Sequence, residues 1–316
     1  MKTKVATVFG GSGFIGREVV QRLAREGYIV RVATRDPVKA GILRTAGAVG
    51  QVVPMLCALK RPETIAAAVN GADVVINLLG ILFETRRQKF HDIHHVAAEN
   101  IAKAATAAGV GRLIHISAIG ADAGSTARYA KSKAAGEASV RSAFPAATIL
   151  RPSIVFGPAD DFFNRFAGLT RVSPALPLIG GGGMKFQPVY VGDVADAVVA
   201  AATRRDAAGK TYELGGPRVA TFKELLELML KVTHRKRCLI SMPFGLAKLK
   251  SYFLQLAPKP MLTPDQVELL KHDNVVASDA LKLSDLGITP TAMEAVLPSY
   301  LDRFIPGGLF KASAQA

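Results

Sequence analysis

The sequence predicts an α/β protein: a doubly wound parallel sheet with helices on both faces, followed by a smaller, mainly helical C-terminal region. Three observations predict it. Short β-rich runs alternate with helical patterns through the first half, which is the order of βαβ units. A glycine-rich turn joins the first run to the first helix. After Arg151 the alternation loosens. With 316 residues, 49% hydrophobic and 21% charged, the chain can bury a sizeable core and has neither a disordered nor a collagenous composition.

Residues 4–9, 29–34, 49–53, 74–78, 112–117 and 148–151 read as strands, since they are short, apolar and rich in β-branched side chains. Near-continuous apolar runs are what a parallel sheet covered on both faces requires. Between them, residues 16–26, 63–70, 95–108 and 129–144 carry apolar side chains at three- and four-residue spacing and read as helices. "VSPALPLIGGGG" (172–183) is rich in Pro and Gly and is expected to be a loop leading into the smaller region. Helices are expected at 191–204 and 221–233, with a short strand at 211–214.

"ATVFGGSGFIGREVV" (6–20) carries the first chemistry. Gly10 allows the tight turn, Gly13 lets backbone approach a pyrophosphate, and Gly16 lets helix pack on strand. The N-terminus of the helix that follows presents backbone N–H groups to the phosphate. The strand–turn–helix context makes this a dinucleotide site. The expected division is a Rossmann-type dinucleotide-binding domain over 1–155, with the chain returning to it around 185–215, and the smaller region over 156–316. At the end of the second strand, "RVATRDP" places Thr34 where an NAD site expects an acid. Arg35 follows, and its planar fork suits a 2′-phosphate. NADPH is therefore preferred over NADH. Asp36, followed by Pro37, reads as a helix cap and not as a ribose ligand.

"RYAKSKAAGE" sets Tyr129 and Lys133 four residues apart on one helix face, so that the ammonium sits near the phenol and lowers its pKa for proton transfer. With the glycine motif and "RPSIVFGP" (151–158), this pattern resembles the extended short-chain dehydrogenase/reductase superfamily over nearly the whole chain, to about Arg303. The resemblance implies that Tyr129 and Lys133 clamp the nicotinamide ribose even where no turnover occurs. It also implies cofactor contacts at Gly10, Gly13, Phe14, Ile15, Gly16, Thr34, Arg35, Leu79, Ser117, Tyr129, Lys133 and Pro152. An active member usually has Ser or Thr two positions beyond the first serine after the fifth strand; in "HISAIGAD" that position is Ile119, which cannot hold a substrate oxygen. The family's adenine-contacting acid after the third strand is also missing from "VVPMLCALKRPE".

"VVINLLGILFETRRQKFHDIHHV" (74–96), "RPSIVFGPADDFFNRFA" (151–167) and "KFQPVYVGDVADAV" (185–198) are more distinctive. They resemble the family of NADPH-binding accessory subunits of respiratory complex I, the NADH:ubiquinone oxidoreductase. That resemblance implies a structural nucleotide, no turnover, other complex I subunits as partners, and a peripheral place on the cytoplasmic face of a bacterial inner membrane. The alternatives are a stand-alone NAD(P)-dependent oxidoreductase or nucleotide-sugar epimerase/dehydratase, using Tyr129 and Lys133 as its catalytic residues, and a sensor of the NADPH/NADP ratio.

The formal charge of +15, from 40 Lys and Arg against 25 Asp and Glu, suits phosphates, anionic lipids or an acidic partner. No base-stacking motif or recognition helix points to nucleic acid. Between Leu228 and Pro264 there is no acid, while Lys231, Arg235, Lys236, Arg237, Lys248, Lys250 and Lys259 are interleaved with Leu, Ile, Phe and Tyr. Residues 231–259 thus suit lipid headgroups or a neighbouring subunit, or else form an ordinary packed helix with snorkelling lysines. Cys57 and Cys238 share no motif spacing and fit a reducing compartment. No apolar run reaches the roughly 18 residues of a bilayer span, and the first strand leaves no room for a signal peptide. His91, His94 and His95 read as a solvated polar turn and not as a metal set, and Gly180 to Gly183 as a flexible connection.

Overall fold

A computed structural model of the chain describes residues 3–258 and 260–307; Lys259, one of the seven cations noted above, and the last nine residues of the expected smaller region lie outside them. The chain forms two compact units. The first contains residues up to 152 together with 191–214 and 278–289. Its sheet has seven strands: β1 (Val5–Phe9), β2 (Ile29–Thr34), β3 (Val52–Leu56), β4 (Val74–Asn77), β5 (Arg112–Ile116), β6 (Thr148–Pro152) and β7 (Thr211–Leu214). They lie in the order β7-β6-β5-β4-β1-β2-β3, and every pairing is parallel. The strand order reverses between β1 and β4, and in such sheets a crevice opens there outside the carboxyl ends of the strands.

The helices are α1 (Phe14–Arg25), α2 (Pro62–Val69), α3 (Ala97–Ala107), α4 (Arg128–Ala143) and α5 (Val191–Thr203). α1 buries Gly16, Val19, Val20, Leu23 and Ala24, the three-and-four spacing of a helix with one apolar face. β4 is buried at all four positions, as a central strand with both faces covered must be. One core cluster packs Ile65, Ala68 and Val69 of α2 with Ile101, Ala102 and Ala105 of α3 against Phe9, Val75 and Leu113.

Several expected elements move. β3 begins at Val52 and not at residue 49, because Gly50 turns the chain with φ +78° and the Gln51 side chain donates back to the carbonyls of Ala24 and Tyr28. The helix expected from residue 95 is preceded by a π-helical turn, His91–Val96.

The second unit contains residues 153–190, 215–277 and the chain from 290. Its core is aromatic: Phe156, Phe163 and Phe222 are fully buried, with Phe162 and Phe166 packed around them. Its helices include α6 (Phe222–Val232), α7 (Phe244–Leu254) and α8 (Pro264–Leu269). The expected loop at 172–183 contains a strand, Ala175–Ile179, paired in parallel with Cys238–Met242. A two-stranded ladder leaves each strand a free edge, where Pro177 and its missing N–H are tolerated. Gly180, Gly181 and Gly182 form a built turn with positive φ at each residue, not a slack connection.

Candidate functional site

The carboxyl ends of the parallel strands bring most of the expected nucleotide residues to one edge of the sheet. Gly10 follows β1, Thr34 closes β2, Leu79 follows β4, Ser117 follows β5 and Pro152 closes β6. Gly10 has φ +80°, and a Cβ there would come 3.1 Å from the Leu78 carbonyl and 3.3 Å from the Leu79 nitrogen. Only glycine lets the two loops of the switch point approach so closely. Gly16 is held more tightly still: a Cβ would lie 2.2 Å from the Gly10 carbonyl oxygen. The turn is closed by the Gly13 N–H donating to that oxygen at 3.0 Å. Gly13 then caps α1 with no side chain, and the first turn carries no acid. The N–H groups at Phe14 and Ile15 therefore open a helix end that suits an anion.

At the end of β2, Arg35 is exposed. Asp36 accepts a hydrogen bond from the Lys39 N–H at 2.9 Å, which turns the chain into the 3-10 segment Lys39–Ala46. The expected N-cap position shifts: Val38 takes it, and the helical segment starts two residues later than Pro37.

Tyr129 and Lys133 stand one turn apart on α4, whose approach to the π-helical turn is fixed by Gly136. A Cβ on Gly136 would strike the His94 carbonyl oxygen at 2.0 Å. Farther along α4, Glu137 grips Arg151 of β6 through two hydrogen bonds of 2.8 and 2.7 Å, and Arg151 reaches Glu213 of β7 at 3.6 Å. This charged lock joins α4 to the sheet.

The electrostatics of the pair differ from the expectation. Burial holds the Tyr129 phenol up at about 12 and lowers the Lys133 ammonium to about 8. The ammonium donates to the Ile116 carbonyl at 3.2 Å and lies 5.9 Å from the Tyr129 ring centre. Desolvation of the phenol thus outweighs the attraction of its neighbour, and the expected lowering of its pKa does not occur.

Two histidines that motif reasoning did not place complete the cluster. His94, expected in a solvated turn, is buried at the π-helical turn. Its Nε2 accepts from the Ile81 N–H at 3.0 Å, which leaves the proton on Nδ1 to donate to Ser132 Oγ at 2.8 Å. Ser132 donates in turn to the Tyr129 carbonyl at 2.7 Å. Both ring nitrogens are therefore committed, and His94 has no lone pair left for a metal. Phe90 and His94 pack against the Tyr129 ring at 5.7 and 5.4 Å. His115 on β5 accepts from Asn77 Nδ2 at 3.1 Å, while Asn77 Oδ1 accepts from the Leu79 N–H. Burial lowers the pKa of His94 to about 2 and that of His115 to about 3, so both rings are neutral. The signal that could have found His115 was the polar interruption in "RLIHIS", with Asn77 in "VVIN" beside it, where a covered strand should be apolar.

Ser117 Oγ and His115 Nε2 are buried polar atoms that no protein group within the described residues satisfies. Such atoms are rare in a folded chain and suit a polar ligand. Ile119 is buried, its N–H donating to the Pro152 carbonyl at 3.0 Å. An aliphatic side chain thus occupies the position where the family resemblance expects a hydroxyl. The glycine cradle, the uncapped helix end and the two unsatisfied atoms fit a dinucleotide. The residues that would hold it are the Gly10–Gly16 turn for the pyrophosphate, and Ser117, Tyr129 and Lys133 for the nicotinamide half.

Comparison with known proteins agrees with this geometry. Residues 6–215 match the model of the NAD dependent epimerase/dehydratase family. The chain is similar to the NADH dehydrogenase (ubiquinone) 1 alpha subcomplex subunit 9, mitochondrial, of Arabidopsis thaliana, at 40% identity over 96% of this chain and 79% of that protein. It is 39% identical to the protein of the same name from Mus musculus, over 92% of this chain and 78% of that one. Among solved structures it resembles the Citrobacter sp. triphenylmethane reductase complexed with NADP(H), with a TM-score of 0.73 at 21% identity, covering 94% of this chain and 99% of that one.

Proposed function

The chain belongs to the NAD-dependent epimerase/dehydratase family and, within it, to the group that includes the subunit 9 proteins; from that premise we propose that it is an accessory subunit of respiratory complex I that holds a nucleotide without turning it over. The observation that carries this reading is similarity to those subunits over nearly the whole chain, 40% identical across 96% of it. The site is compatible with a holding role. Ile119 offers no hydrogen bond to a substrate oxygen, and the phenol of Tyr129 is held protonated.

NADPH is the proposed nucleotide, with exposed Arg35 beside Thr34 available to its 2′-phosphate. When bound, the nucleotide supplies a hydride donor. The protein supplies backbone N–H groups to its pyrophosphate, the Lys133 ammonium to its ribose hydroxyls, and aliphatic bulk where a substrate would have to enter. The proposed partners are other complex I subunits, and the proposed place is peripheral, on the cytoplasmic face of a bacterial inner membrane. Among the described residues no helix is long and apolar enough to cross a membrane.

The test is to solubilise native membranes gently, separate the complexes by size, and follow the chain, NADH:quinone reductase activity and extractable NADPH together. Co-migration of all three supports the reading. A small species carrying neither refutes it and favours the stand-alone oxidoreductase or epimerase, for which the retained Tyr129–Lys133 pair is the supporting observation.

A further inference from the structure

We propose that the outward face of α7 docks on an anionic lipid bilayer. The inference stands on this helix alone and does not depend on the accessory-subunit reading.

A helix on the surface of a soluble unit normally buries its apolar stripe and turns polar residues outward. α7 does the reverse. Its inward contacts are narrow: Ala247 and Ser251 are fully buried, Ala247 in a small cluster with Val267 of α8 and Ile179. Phe244 anchors its first turn against Gly180, where a Cβ would come within 2.3 Å of the ring. The outward residues are large and apolar: Leu249 is 58% exposed, Phe253 71% and, just past the last turn, Leu256 81%, with Leu246 and Tyr252 beside them.

At about 100° per residue, Tyr252, Leu249, Phe253 and Leu246 fall within an arc of roughly 120°. Lys248 stands just outside one edge of that arc and Lys250 just outside the other. An apolar stripe bordered by lysines on both sides is the arrangement of a helix lying in the plane of a bilayer surface, the stripe among the acyl chains and the ammonium groups at headgroup level. Charge supports the same occupant. No acid lies between Leu228 and Pro264. The carboxylate that does pack against α7, Glu268 of α8, is paired with Lys248 at 2.8 Å and Lys271 at 2.7 Å. Among the described residues of α7 no acid repels an anionic headgroup, and exposed Lys250 beside the stripe attracts one.

The experiment is co-sedimentation of the full chain with vesicles of phosphatidylcholine alone, and of phosphatidylcholine containing about one third phosphatidylglycerol, at low and at physiological salt. The chain is expected to sediment with the mixed vesicles and only weakly with the neutral ones. The double variant Phe253→Ser/Leu256→Ser is expected to bind the mixed vesicles roughly tenfold or more weakly. Both side chains are exposed, so unchanged circular dichroism and nucleotide content certify the fold. Lys250→Glu is expected to weaken binding to the mixed vesicles and to make the remaining binding less sensitive to salt. Failure to sediment with mixed vesicles, or equal binding by the double variant, overturns the proposal. So does concentration-dependent self-association that the variant abolishes, which would assign the face to a second copy of the chain. Loss of co-migration with a membrane complex, without any vesicle binding, would assign it to a protein subunit and equally overturn the proposal.

Discussion

Gly10→Ala separates the two demands that the nucleotide turn makes on its glycines. Gly10 and Gly27 both have φ +80°, but a Cβ on Gly27 would meet nothing within 4 Å, whereas on Gly10 it would press on the Leu78 carbonyl at 3.1 Å. Gly27→Ala therefore reports the conformational cost alone, about 1–2 kcal/mol for an L-residue in the left-handed region. Gly10→Ala carries the same cost and adds a crowded contact with backbone, for which overpacking gives about 1–3 kcal/mol. The expected losses are about 1–2 kcal/mol for Gly27→Ala and about 2–5 kcal/mol for Gly10→Ala. The assay is urea unfolding of both variants, with nucleotide measured in the purified protein. Gly27→Ala should retain its nucleotide, and Gly10→Ala should lose most of it, because the Leu78–Leu79 backbone must move away from the switch point. Equal stability of the two variants, with nucleotide retained in both, would refute the close approach of these loops as the reason for glycine at position 10.

Three further outcomes follow from the site. His94 and His115, with folded pKa values of about 2 and 3, lie below the unfolded value of about 6.5. A base depressed by folding contributes stability that is complete above the unfolded pKa and is lost as pH falls below it; between pH 7.5 and 5.5 the pair should lose about 2.7 kcal/mol, and urea unfolding of His115→Asn should show about half that slope. Arg151→Ala leaves Glu137 and Glu213 buried without their cation, so urea unfolding at pH 7 should show a loss of about 3–5 kcal/mol. Arg35→Ala should narrow the preference for NADPH over NADH roughly tenfold, read by titration of the nucleotide-stripped chain; an unchanged ratio would remove Arg35 from the 2′-phosphate site.

The sheet was legible because its signal is redundant. Each covered strand is an apolar run, each helix repeats at three and four residues, and β2 and β7 fall where the sequence places them. What shifted depends on single residues acting at a distance. Gly50 and the Gln51 amide delay β3, and a proline-bearing strand at 175–179 forms because Cys238–Met242 lies alongside it, some 60 residues later in the chain. Motif spacing placed the glycine turn and the Tyr129–Lys133 pair. It put His94 in a solvated turn and passed over His115, because their roles come from Asn77, Ile81 and Ser132 in other segments. Nor does spacing carry desolvation: the same four-residue interval is compatible with a lowered or a raised phenol, and burial decides.

That burial gives the holding role a physical basis. Around Tyr129, the His94 and His115 rings are neutral and the phenol is protonated, so the charge they face is the Lys133 ammonium, on which Glu137 acts from one turn along α4. The ammonium has three donors, and the Ile116 carbonyl takes one. A ribose diol offers two hydroxyl oxygens at hydrogen-bond range to such a group, and each bond to a charged donor in a dry site contributes about 1.5–3 kcal/mol. A nucleotide seated there satisfies a charge that burial has made expensive, and the ribose contribution to this is the same in either redox state. Affinity without redox preference is what a structural nucleotide needs and what a sensor of the NADPH/NADP ratio must avoid. Equal dissociation constants for NADPH and NADP would therefore support a structural role, whereas a difference of tenfold or more would favour the sensor.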